Sequence, residues 1–324
     1  MTSSEWCELI FEPSAPEDMW HKVFRSLPDL SRRIDSPDKL HNTILAADRF
    51  LSESAWELWS EYPENAPLTS KALTEWTNTP SSLLGKAVLI IDALSLRELP
   101  QLLSAAQDRD IEPATLEATG AEVPSETGTF AKALGLPQRS AAANDSAPAS
   151  FTLFNNERCY TDVLSIPFED CVGSVPNEPN VFLWHTWLDD LIHVHKNSSR
   201  QISEAARNMF KNDGFWKLLN KLRQGRKLLI TSDHGYAVRK LFSAEERDDK
   251  TITALRDVFG ASRAVPASGQ WRQRFMPPVV LSHGGYHVIM GQCKWKVQGG
   301  FPEVCHGGLT LLEIAVPWIE FSPL

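Results

Sequence analysis

No part of this chain is apolar for long enough to cross a membrane as a helix; the longest hydrophobic runs, such as Ala87 to Leu94, have the length of strands. The N-terminal stretch lacks the basic residues, apolar run and small-residue cleavage site of a secretory leader, so a cytoplasmic protein with no membrane partner is expected. Cysteine is sparse and shows no CxxC spacing: Cys7, Cys159, Cys171, Cys293 and Cys305 are scattered, which excludes a zinc ribbon and a disulfide framework. Free thiols in a reducing compartment fit that pattern. Basic charge is also short. With 32 Lys and Arg against 41 Asp and Glu, the formal net charge of -9 argues against a protein that holds nucleic acid by bulk electrostatics. That total does not govern a site where divalent cations neutralise aspartates. No internal repeat is present.

What remains is an ordinary globular composition, 42% hydrophobic and 23% charged, long enough for one large domain with an appendage. Residues 1–85 contain many Trp, Leu, Glu and Ser, with helical spacing at Leu40, Ile44, Leu45, Phe50 and Leu51, and read as a helical N-terminal appendage. Residues 86–324 change character. Lys86 to Asp92 (KAVLIID) is a short β-branched run ending in an aspartate, the pattern of a strand buried on both faces. Val181 to Trp184 runs toward Asp189 in the same way, and Lys227 to Thr231 ends just before Asp233 and His234. Between them Ser203 to Leu222 reads as one helix, giving the strand, helix, strand order of a parallel crossover. Ser140 to Ser150 (SAAANDSAPAS) reads as a flexible surface loop, and Glu245 to Gly269 is polar and without clear pattern. Val279 to Leu281, Tyr286 to Met290 and Lys294 to Val297 have hairpin-like spacing. The class is therefore α/β.

Acidic residues at the carboxyl ends of buried strands are where an open α/β sheet normally builds its site. Asp92, Asp189 and Asp233 all stand there. Asp189 and His193 are four apart, which places both on one face of a helix, and Asp233 and His234 are adjacent on a turn ending in Gly235. His306 opens the segment HGGLTLLEIAVPWI. Each pair alone has a plain reading as a surface or capping pair, but the combination is hard to explain as solvated surface. Mixed oxygen and nitrogen donors suit zinc, with manganese as a substitute.

The order IIDALS, PSET, WHTWLDDLIH, LLITSDHGYA, CHGGLTLLEIAVPWI resembles the PglZ branch of the alkaline phosphatase superfamily over residues 86–324. The resemblance implies a three-layer α/β/α sandwich with a mostly parallel sheet and two divalent metal ions. It implies that Asp189, His193 and His306 hold one ion, while Asp92, Asp233, His234 and the hydroxyl of Thr127 hold the other. By motif position Thr127 of PSET is the nucleophile, an alcohol that needs a metal to lower its pKa and a rigid turn to aim it. Its alternative is a helix N-cap ahead of a helix beginning near Thr129, and Ser125 is the second candidate nucleophile.

The expected activity is metal-dependent hydrolysis of a phosphate ester through a covalent threonine intermediate. Such relatives are associated with phosphodiester cleavage and bacterial anti-phage defence, so the substrate class is a phosphodiester, including nucleic acid or nucleotide. Defence-system proteins are the partners expected at the N-terminal helices. The alternative is a non-catalytic metal-bound module that scaffolds a larger complex. No arginine is placed by motif to grip a terminal phosphate dianion, which favours a diester over a monoester, and Ser95 stands where PglZ relatives often carry one. His185 reads either as a partner that orients a ligand or as a core histidine, and His283 and His287 belong to a hairpin. Asp190 competes with Asp189 for the ligand register, and Arg263 to Arg274, with Arg272, offers a basic segment for guiding a polyanion.

Overall fold

The computed structural model describes residues 16–34, 36–80, 85–238, 249–268, 276–292 and 303–324, together with Glu5, Glu8, Trp271 and Trp295. Its first strands are β1 Gly85–Ile91, β2 Thr115–Gly120, β3 Cys159–Leu164, β4 Asn180–His185, β5 Arg226–Thr231 and β6 Ala237–Val238. They are followed by β7 Ala264–Pro266, β8 Val280–His283, β9 Tyr286–Ile289, β10 Val304–Cys305 and β11 Ala315–Phe321. A six-stranded sheet has the order β2-β11-β5-β1-β4-β3. β1 pairs in parallel with β4 and β5, β4 pairs in parallel with β3, and β11 runs antiparallel to β2 and β5.

The continuous apolar run of β1 follows from cover on both faces. Ala87, Leu89 and Ile91 join one buried cluster with the helices Pro16–Arg33, Pro37–Glu53, Glu57–Asn65, Leu99–Gln107, Ser199–Lys211 and Asp213–Arg223. Val88 and Ile90 join a second with Leu73 of the helix Thr69–Asn78 and Phe130 of the helix Thr127–Ala133. The result is the expected three-layer α/β/α sandwich with a mostly parallel sheet.

The first helices share a core with the sheet. Trp20, Phe24, Trp59 and Tyr62 pack on one another, with Trp20 and Tyr62 edge to face at 5.0 Å, an arrangement worth about 0.5–1.5 kcal/mol beyond area burial. The Tyr62 hydroxyl donates to the carbonyl of Ala121 at 2.7 Å, and the Thr69 hydroxyl lies 2.8 Å from that of Thr119. These contacts seat the helices on the end of β2, where the chain leaves toward Thr127.

Several elements differ from the sequence reading. The helix expected over Ser203 to Leu222 is two helices, broken at Asn212, whose side chain caps the second by accepting from the Gly214 amide at 2.6 Å. Ser140 to Ser150 is not a free loop. Arg139–Asp145 forms a 3₁₀ turn with Ala142 buried; Asn144 donates its amide to Asp162 at 2.9 Å, and Asp145 pairs with Arg158. Small side chains let this turn lie flat against β3, which is why its composition resembles that of a linker. The polar stretch Glu245 to Gly269 contains a helix at Asp249–Phe259 and then β7. β8 and β9 form the expected hairpin, with β7 added beside β9; the strand expected at Lys294 to Val297 lies outside the described residues except for Trp295. Among the described residues no helix is long and apolar enough to cross a membrane.

Candidate metal centre

Parallel pairing puts the carboxyl ends of β1, β4 and β5 on one edge of the sheet, and the sequence places an acidic residue just beyond each. Asp92 follows β1, Asp189 and His193 lie on the helix Trp187–Val194 after β4, and Asp233 and His234 follow β5. β11 runs the other way, so the segment before it, with His306, reaches the same edge. Two donor groups result. Asp92, Asp233 and His234 form one, fully buried; Asp189, His193 and His306 form the other, and within each the potential ligand atoms lie within 4.8 Å of one another.

The Thr127 hydroxyl enters the first group. Its Oγ1 donates to Asp233 Oδ2 at 2.8 Å and lies 3.3 Å from both Asp92 Oδ1 and His234 Nε2. His234 Nε2 is 3.5 Å from Asp233 Oδ2 and 3.8 Å from Asp92 Oδ1. In the second group Asp189 Oδ2 is 3.3 Å from His193 Nε2, and Asp189 Oδ1 is 3.9 Å from His306 Nε2. Donors bound tetrahedrally at about 2.1 Å stand about 3.4 Å apart, so both sets are spaced to share a cation. Asp189 Oδ1 is buried and receives no hydrogen bond, a vacancy in its hydrogen bonding that a cation would fill.

Local structure aims each donor. Ala93 adopts a left-handed conformation (φ 61°) and its amide donates to Asp233 Oδ1 at 3.1 Å, leaving Oδ2 for Thr127. His234 Nδ1 donates to the carbonyl of Gly235 at 2.9 Å, which fixes the tautomer and leaves Nε2 free to act as a ligand. Thr127 is the first residue of its helix rather than the cap; Glu126 holds the cap position and makes no side-chain cap bond. His306 is carried in by the antiparallel pairing of β10 with β6, which sets Cys305 opposite Ala237. The same pairing brings His306 against His234, ring centroids 4.5 Å apart and 19° from parallel, so the two groups adjoin.

Burial, and next the carboxylate of Asp233, push Asp92 well above the ordinary carboxylate range, and burial raises Asp189. Burial opposes protonation of His234, but Asp233 and Asp92 outweigh it and the net shift is upward. Burial and crowding make the charged carboxylates costly, and a divalent cation bound between them would offset that cost.

Ser125 does not face the donors: its hydroxyl donates to the carbonyl of Gly308 at 2.7 Å and accepts from the Gly307 amide at 3.2 Å. Asp190 accepts from Thr186 at the start of its own helix, which leaves Asp189 as the carboxylate toward His193. His185 is a core histidine. Its Nε2 donates to Ile166 at 3.0 Å, its Nδ1 accepts from the Trp187 amide at 3.1 Å, its ring stacks on Phe168, and burial depresses its pKa to about 4. His283 and His287 lie in the β8–β9 hairpin, where His287 Nδ1 is 2.7 Å from Ser282 Oγ. Ser95 is fully buried, its Cβ 3.4 Å from where a Gly235 Cβ would lie.

Arg263 offers nothing to a passing polyanion, because its guanidinium is buried against Glu313 at 2.7 and 2.9 Å; Arg272 and Arg274 lie outside the described residues. An unforeseen arginine does reach the site: Arg139 forms an ion pair with Asp92. Nothing in the run QRSAAAND marks it, because only the folding of the 3₁₀ turn onto β3 directs its side chain inward.

No family model matches the chain, and no curated protein matches it. Among solved structures it is similar to murine ectonucleotide pyrophosphatase/phosphodiesterase 5, an inactive form in complex with AMP, at 11% identity and a TM-score of 0.45, covering 74% of this chain and 88% of that one. It is also similar to phosphonoacetate hydrolase from Sinorhizobium meliloti in complex with phosphonoformate, at 14% identity and a TM-score of 0.41, covering 75% of this chain and 91% of that one.

Proposed function

We propose that this chain is a metal-dependent phosphoester hydrolase that uses Thr127 as its nucleophile and two divalent cations, zinc or manganese. The observation that carries the reading is the position of the Thr127 hydroxyl, in contact with Asp92, Asp233 and His234, beside a second group made by Asp189, His193 and His306. Bound cations would lower the hydroxyl's pKa and neutralise charge on phosphorus during in-line displacement. The protein's own part is to hold the threonine still. Asp233 Oδ2 accepts the hydroxyl proton in a hydrogen bond, Asp92 Oδ1 flanks it, and the fixed tautomer of His234 keeps an acceptor nitrogen directed at the same point. The methyl of Thr127 restricts its rotamer, so the oxygen is aimed before substrate arrives.

The resemblance to PglZ domains supports a phosphodiester or nucleotide substrate and a place in anti-phage defence, with the N-terminal helices as the docking region. The absence of an arginine no longer supports a diester, since Arg139 stands beside Asp92. Hydrolysis of bis-p-nitrophenyl phosphate and of p-nitrophenyl phosphate, each with and without chelator, tests the proposal. Chelator-sensitive release from the diester exceeding that from the monoester supports it; cation bound in stoichiometric amount without turnover of any phosphoester contradicts it and favours the scaffold reading.

A further inference from the structure

Asp92 and Asp233 present one oxygen each to Thr127, and in both carboxylates the other oxygen is engaged. For Asp233 the holding groups are local: the Ala93 amide at 3.1 Å and the neighbouring Ser232 hydroxyl at 3.3 Å. For Asp92 they come from afar. Its Oδ2 accepts from Trp184 Nε1 at 3.1 Å, at the end of β4, and from the guanidinium of Arg139, on the turn laid against β3. Trp184 is fully buried and packed edge to face on Phe130 at 5.4 Å, so its N–H points in a fixed direction. The turn of Arg139 is tied to β3 by the bond from the Asn144 amide to Asp162 and by Asp145, which accepts from Arg158 at 3.0 Å and from the Thr161 amide at 3.4 Å. An arginine so placed has surrendered much of its rotamer freedom during folding rather than at the moment of contact.

We propose that Arg139, with Trp184, is a positioning residue: it occupies Asp92 Oδ2 so that Asp92 meets a divalent cation through Oδ1 alone, on the side where Thr127 stands. A buried carboxylate with both oxygens free can rotate about its Cβ–Cγ bond and chelate through both; two donors from separate strands forbid that rotation. The inference rests on reading Asp92, Asp233 and His234 as a cation site, and it concerns how that site is shaped.

The test is a titration of metal-stripped protein with Mn²⁺ and with Zn²⁺ by calorimetry, for wild type, Arg139→Ala, Arg139→Lys, Trp184→Phe and, to identify the other site, His193→Ala. One of the two binding events is expected to weaken by about 10-fold to 100-fold in Arg139→Ala and Trp184→Phe, as is typical when a ligand's supporting partner is lost. Arg139→Lys should recover part of that loss, and the event sensitive to His193→Ala should stay unchanged. Trp184→Phe keeps an aromatic ring but removes buried volume along with the N–H, whereas Arg139 is partly exposed, so melting temperatures of the variants separate loss of fold from loss of affinity. Wild-type affinities at both sites in Arg139→Ala would overturn the proposal, and a raised KM beside them would make Arg139 a substrate contact instead. Wild-type protein that binds no cation would overturn the hydrolase reading as well, an outcome distinct from a failure of the variants alone.

Discussion

The imidazoles of His234 and His306 lie face to face, 4.5 Å between centroids, although each belongs to a different donor group and 71 positions of sequence separate them, from 234 to 306, counting the residues between. The stacking couples the groups through packing rather than through a shared ligand. His306→Ala is therefore expected to lower cation affinity at Asp189 and His193 by about 10-fold to 100-fold or more, while Asp233→Ala weakens the site that includes Thr127. Metal content after dialysis, read by elemental analysis, checks this. Equal loss of both cations in His306→Ala would show that the groups are a single site.

Asp48, which belongs to neither donor group, gives the chain a pH dependence of its own. It accepts from the Leu311 amide at 2.6 Å, and burial raises its pKa from 3.8 to about 7. A raised folded-state pKa means the native form holds the proton more tightly, so the stabilisation is complete below about pH 4 and is lost as pH rises through about 7. Asp48→Asn keeps an oxygen for the Leu311 amide and cannot ionise. The melting temperature of the variant minus that of wild type should climb between pH 4 and 7 and then level. A difference independent of pH would mean Asp48 does not titrate in that window.

Two glycines near the site are expected to behave oppositely. A Cβ at Gly235 would lie 2.2 Å from the carbonyl oxygen of Leu312, backbone that cannot move aside, so Gly235→Ala should displace the Asp233–His234 turn and destabilise the fold. A Cβ at Gly128 would meet nothing within 4 Å, and Gly128 is helical. Gly128→Ala should leave stability unchanged or raise it by up to about 1 kcal/mol. Denaturant midpoints for the two variants decide the matter, and similar losses in both would contradict it.

Ser125→Ala leaves the buried Gly307 amide without its acceptor, at a cost of about 1–3 kcal/mol. Its expected signature is a lowered melting temperature with threonine chemistry retained. Abolished turnover at wild-type stability would instead make Ser125 the nucleophile.

The strands that bear site residues were legible because both their faces are buried: KAVLIID and KLLIT are apolar without alternation and stop at an aspartate. β2 (TLEATG) and β3 (CYTDVL) carry polar positions, with Glu117 of β2 exposed, and β11 contains Pro317, which weakens its strand signature, so none of the three stood out. The helix break at Asn212 was hidden because apolar spacing continues on both sides of it. Asp189 and His193 were readable from helical periodicity, whereas Arg139 and Trp184 meet Asp92 only through tertiary folding. The Arg263–Glu313 pair was unreadable for the same reason: 50 residues separate its partners, and a basic segment carries no mark of burial.

The nucleophile is the claim on which the rest depends, and Thr127→Ala tests it most directly when turnover and metal content are measured on the same preparation. Carboxylates and imidazoles supply most of the donors, so bound metal should remain near two per chain. Turnover of bis-p-nitrophenyl phosphate should nevertheless fall by about 100-fold or more, equivalent to about 2.7 kcal/mol of barrier, because water must then replace the threonine oxygen. Thr127→Ser, with the hydroxyl kept and the methyl gone, should retain part of the activity. Wild-type turnover in Thr127→Ala, with both metals in place, would contradict a threonine nucleophile.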